Sequence, residues 1–194
     1  QEIYDQINAD LEMGIKLMTE NDQRVTSKFK LTPISANLLA SRVALYQKRY
    51  QDVITYADRT IGLNNSLFDI SNNTMEFAMT RWGYGQGIHY FNDVNDNVIF
   101  KYGSNEKYYY VHIPGALAIS DDLIDLYEPG DLRLYYFTYI KGSLGRVYFK
   151  FRPHPNRLGE PIRGFRVEEA FLNRAEAYAF LDQPSKALED LNTI

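Results

Sequence analysis

Two stretches of helical periodicity, each broken once by a short linker and set roughly 100 residues apart, constrain this chain more than any other feature. In the first, Thr32 followed by Pro33 supplies an N-cap and a proline at the first helical position. Ile34, Leu38, Leu39, Val43, Ala44 and Leu45 then spread over a wide arc, as expected of a helix packed on more than one side. Tyr50, Val53, Ile54, Ala57 and Ile61 keep the i, i+3, i+4, i+7 spacing of a second helix, which Gly62 is placed to close in the left-handed conformation. Near the end of the chain Val167, Phe171, Ala175 and Tyr178 mark one helix. Ala187, Leu188, Leu191 and Ile194 mark another, opened by Pro184. Ahead of both pairs, Ile3, Ile7, Leu11 and Met18, with Tyr4 and Ile15 beside them, predict an opening helix, and residues 21–30 are polar.

Laid over the tetratricopeptide pattern, Ala175 takes the small position of the first helix, with Ser41 as its counterpart in the earlier hairpin. Ala187 and Val53 take the compact position of the second helix. Small residues there let two helix backbones approach closely; an unrelated antiparallel helix pair would show the same spacing. A solenoid repeat does not accept an insertion of this length unless the insertion packs on itself. The expected fold class is therefore mainly α: tetratricopeptide-like helical hairpins with an irregular, partly β insertion between them. Hairpins are expected over 31–63 and 165–194, with the aromatic-rich insertion over 64–164.

Within the insertion, Leu134–Lys141 and Arg146–Phe151 alternate as a strand pair around a turn at Gly142–Gly145. Val98–Lys101 and Tyr108–Ile113 are weaker strand candidates. Ser120 can cap a short helix through Tyr127 that Pro129 and Gly130 stop.

Composition removes several function classes. The formal net charge is −4 and no long Lys/Arg run is present, so the electrostatic footprint for nucleic acid is missing. The absence of cysteine excludes disulfides, thiolate zinc sites and a Cys nucleophile within these residues. No apolar stretch approaches the roughly 18 residues of a membrane helix. The apolar stripes run to both ends of the sequence, so both ends are expected to lie inside structure. Any signal peptide or lipid-attachment cysteine is expected outside these 194 residues.

Leu31–Tyr46, followed by Tyr50 and Ala57, resembles a helix of small residues leading into a "dY..A...A" helix, the pair found in the SusD/RagB-like family. Asn97-Val98-Ile99-Phe100 resembles its "E.IF" strand, with Asn97 where Glu is usual, and Asp131-Leu132-Arg133 its "D.R" step. Phe165-Arg166-Val167-Glu168-Glu169-Ala170-Phe171-Leu172-Asn173-Arg174-Ala175-Glu176-Ala177 resembles "fR.aE..L..AEA", and Leu191-Asn192-Thr193-Ile194 begins its "LN.iR". The resemblance implies a central fragment, 1–194, of a single SusD-like domain that binds glycan or another nutrient without catalysis. It further implies delivery of an oligosaccharide or polysaccharide to a SusC-like, TonB-dependent transporter in the outer membrane of Bacteroidetes-type bacteria. The protein would sit at the cell surface, held to the membrane only by a lipid anchor outside this fragment.

A glycan site needs aromatic faces for C–H patches and Asn, Asp, Arg or Tyr groups for hydroxyls. The segment 81–93 sets the only tryptophan, Trp82, with Tyr84, Tyr90 and Asn92 among Gly83, Gly85 and Gly87, which argues for a loop that exposes its rings. Tyr109, within Tyr108–Tyr110, is the second candidate. The alternative is that Trp82 and Phe91 pin the loop to the scaffold. No cofactor or metal site is expected: His89, His112 and His154 lack ligand spacing, and Asp93–Asn97 lacks the Gly and Glu of a calcium loop. Glu168, Glu169 and Glu176 lie near Arg166 and Arg174, as in surface or interhelical ion pairs, and no pair of carboxylates stands out as a glycosidase dyad. An enzyme is not expected; the competing class is a tetratricopeptide-type adaptor for a peptide or protein.

Overall fold

The computed structural model describes residues 2–21, 27–69, 96–102, 121–131, 137–142, 145–150 and 163–194. They are mainly helical, with tetratricopeptide-like hairpins, as the periodicity predicts. The chain divides into two compact units, Gln1–Leu67 with Asp93–Tyr102 and Arg163–Ile194, and Phe68–Asn92 with Gly103–Ile162.

In the first unit α1 (Glu2–Glu20) precedes a hairpin of α2 (Pro33–Tyr46) and α3 (Tyr50–Leu63). Thr32 caps α2 through a capping box: its hydroxyl accepts from the Ser35 N–H while the Ser35 hydroxyl accepts from the Thr32 N–H. Three residues then turn the chain. Lys48 adopts φ +60°, its N–H bonds Leu45 O, and the Arg49 N–H bonds Ala44 O, which together form a Schellman motif.

The pattern returns in α5 (Val167–Phe180) and α6 (Pro184–Thr193). Asp182 takes φ +56°, its N–H bonds Ala179 O and the Gln183 N–H bonds Tyr178 O. Both first helices have 14 residues, so Ser41 and Ala175, and Val53 and Ala187, hold equivalent places in two copies of one unit. All four are buried.

Gly62 does not close α3. It lies within the helix outside the left-handed region, and the Asn64 N–H, bonded to Thr60 O, makes the cap from an extended residue. The Asn64 side chain completes the stop by accepting from the Ser66 N–H and donating to Asp96 O.

Two buried clusters hold these helices together. One joins Ile15 of α1, Ala36, Ala40 and Ala44 of α2, Val53, Ile54 and Tyr56 of α3, and Ala177 of α5. The other joins Leu38 and Ala57 to Val167, Ala170 and Phe171, and also takes in Ile99 and Phe165 from a two-stranded sheet. The apolar stripe of α1 is used only in part. Ile15 is buried with Leu11 and Met18 packed beside it, whereas Ile3, Tyr4 and Ile7 remain exposed.

That sheet pairs β1 (Val98–Tyr102) antiparallel with β4 (Arg163–Arg166). The sequence pattern had not separated β4 from the helix behind it: Phe165 and Arg166 are extended, and α5 begins at Val167. Val98 faces Arg166 and Phe100 faces Phe165, so Ile99 is the extra residue of a bulge and both Val98 and Ile99 are buried. The Val167 N–H extends the ladder to Asn97 O, and the Lys101 N–H bonds Lys28 O from the α1–α2 segment.

In the second unit α4 (Asp121–Ile124) is one turn long, shorter than expected. The chain turns after it, with the Leu126 N–H on Leu123 O, the Asp131 N–H on Glu128 O and Gly130 at φ +93°. Here β2 (Phe137–Gly142) pairs antiparallel with β3 (Gly145–Lys150), and Gly142 opposite Gly145 ends the ladder where the turn was expected. Tyr108–Ile113 lies outside the described residues.

Close approach makes the fold testable at small residues. A Cβ at Gly164 would drive into the Phe100 carbonyl oxygen and meet its carbon at 3.1 Å and Lys101 Cα at 3.2 Å; one at Gly62 meets nothing within 4 Å. Gly164→Ala should therefore cost on the order of 1–3 kcal/mol. Gly62→Ala should stabilise by about 0.5–1 kcal/mol, because it removes unfolded-state freedom from a helical site. Denaturant titration of both variants checks this, and equal effects would refute the strand contact. Ala175→Leu and Ala187→Leu should each cost about 1–3 kcal/mol by overpacking. Unchanged midpoints for both would show that the hairpin interior has room to spare.

Candidate functional site

Trp82, Tyr84, Tyr90, Asn92 and Tyr109, the residues selected for glycan contact, lie outside the described residues, as do His89, His112 and His154. What the structure does describe is the two ends of the segment that carries Tyr109, His112 and His154: the chain leaves β1 at Tyr102 and re-enters at Arg163, its Cα partner on β4.

Packing at these two ends is aromatic. Phe100 and Phe165 lie 5.4 Å apart between ring centroids, and Tyr102 meets Phe165 edge-on at 6.3 Å with part of its ring exposed. The Arg42 guanidinium sits 4.5 Å from the centroid of the ring common to both contacts, Phe165. The same guanidinium forks onto Glu169, with Nε to Oε1 at 2.6 Å and Nη2 to Oε2 at 2.7 Å. The Glu169 bond holds the Arg42 pKa above its ordinary value against the opposing effect of burial. One side chain thus couples α2, β4 and the first turn of α5. One residue earlier, Glu168 is buried, and its Oε1 accepts from Asn97 Nδ2 at 2.9 Å at the foot of β1.

A second charged centre lies within the helical stack. Arg174 donates from Nε and Nη2 to both oxygens of buried Asp190, at 2.9 and 2.6 Å, and from Nη1 to Asp58, so that α5 is joined to α6 and α3. The Asp190 bond raises the guanidinium pKa. A third network ties α1 to the first hairpin turn: Asn8 and Gln47 exchange hydrogen bonds, and Arg49 donates to Gln47, Asn8 and Asp52.

The reading of Glu169 and Arg174 as members of interhelical ion pairs therefore holds, with Arg42, Asp58 and Asp190 as partners that sequence spacing did not reveal. All three stand far from their partners in sequence, beyond any i, i+4 rule. Glu168 is not a surface charge, and Glu176 is exposed. A carboxylate locked in a bidentate pair is poorly placed to shuttle protons, so Glu169 and Asp190 act in architecture. Among the described residues no group of three His, Cys, Asp or Glu side chains comes together, and no helix there is long and apolar enough to cross a membrane.

No family model matches the chain, and no curated protein matches it. Solved structures do. A SusD-like carbohydrate binding protein of Bacteroides vulgatus, 24% identical with a TM-score of 0.73, aligns over 99% of this chain and 43% of its own. A SusD-like protein of Bacteroides fragilis, 20% identical with a TM-score of 0.68, aligns over 98% of this chain and 51% of its own. A SusD superfamily protein of Bacteroides vulgatus, 18% identical with a TM-score of 0.69, aligns over 98% and 45%. The chain spans about half the length of these proteins and has their fold.

The Arg174 centre yields a cycle of variants. Arg174→Met strands the buried Asp190 carboxylate and should cost about 3–5 kcal/mol, whereas Arg174→Met with Asp190→Leu should recover most of that loss. Unfolding free energies of the two single variants and the double would settle it; additive losses would mean that Asp190 is hydrated rather than held by Arg174.

Proposed function

We propose that this chain is part of a SusD-like protein that captures glycan at the cell surface and passes it to a TonB-dependent outer-membrane transporter of the SusC type. On this reading 1–194 belongs to one SusD-like domain, in which the hairpins of 31–63 and 165–194 are scaffold and 64–164 carries the ligand. The protein binds and does not catalyse, and a lipid outside these residues anchors it. The observation that carries the proposal is the end-to-end likeness of fold to solved SusD-like proteins, one of them described as carbohydrate binding. The ordered run of sequence motifs from Leu31 to Ile194 supports the same family independently.

Within the insertion, Trp82 offers the stacking face, Tyr84 and Tyr90 extend it, Asn92 supplies a polar edge, and Tyr109 lies on a second aromatic segment. Sugar rings bind this way because their C–H faces meet π faces while hydroxyls need directed partners.

The test is Trp82→Ala, after a glycan array has identified an oligosaccharide bound by the intact protein. Calorimetric affinity for that oligosaccharide should fall by tenfold or more, about 1.4 kcal/mol, while the melting temperature barely moves. A loss of roughly 3–5 kcal/mol in stability would instead assign Trp82 to the core. No bound glycan on the array, or measurable turnover of one, would overturn the binding function itself.

A further inference from the structure

We draw no further inference here: the strongest candidate, the aromatic end of the helical stack where the exposed Phe180 ring lies flat on Tyr50 at 4.6 Å and Tyr46 stands exposed at the close of α2, carries nothing because, in a chain spanning about half the length of its structural relatives, nothing in the structure shows what covers it.

Discussion

The short ladder between β1 and β4 is the constraint on which the helical stack depends. It brings together segments about 60 residues apart, and closing a loop of that length costs conformational entropy that grows with the logarithm of its length. Backbone bonds alone would offset little of this, because each exchanges a bond to water for a bond to protein. The burial of Val98, Ile99, Phe165 and Val167 adds the larger favourable contribution, on the order of 1.5–3 kcal/mol for each fully buried side chain. At the bulge two successive side chains, Val98 and Ile99, are both buried, and Gly164 lets the strands come close enough for the ladder to form. Since α5 begins at the residue after β4, the ladder also sets where the second hairpin starts and which face it turns to α2 and α3.

Arginine is used where these elements converge, for a reason specific to its shape. Arg42 must lie over the Phe165 ring while holding both oxygens of Glu169, and a planar guanidinium does both at once where a lysine ammonium cannot. Arg174 likewise serves two carboxylates from one fork. Such pairs add modest net stability after desolvation. Their larger effect is on register, since a helix displaced by one turn would leave a charge without its partner.

Elements governed by local rules were legible in the sequence. Thr32-Pro33 and Pro184 announce helix starts, small residues mark the close helix contacts, and alternation marks β2 and β3. The hairpin turns were hidden because Lys48 and Asp182 occupy left-handed positions normally filled by Gly or Asn. The obvious glycine, Gly62, sits in the helix instead. Strand β4 was hidden because its four residues run straight into a helix buried on more than one side, so no change of period precedes Val167. The partners of Glu169 and Arg174 were hidden because tertiary pairing has no fixed spacing. The residues proposed for glycan contact were picked out by composition, aromatic rings set among glycines, rather than by any helical or strand period.

The contact between Asn97 and Glu168 accounts for a departure from the SusD/RagB-like motifs that the sequence otherwise resembles. Where the strand motif usually carries Glu, this chain has Asn97; where the helix motif carries a small residue, it has Glu168. The two side chains are hydrogen-bonded and almost fully buried, at 2% and 4% exposure. Glu at both places would bring like charges within bonding distance in a poorly hydrated site, which is strongly unfavourable. With an amide donor on the strand side and the carboxyl on the helix, one hydrogen bond joins the two elements instead. The departure at Asn97 is therefore matched by the residue it touches, Glu168, and is no argument against a shared fold.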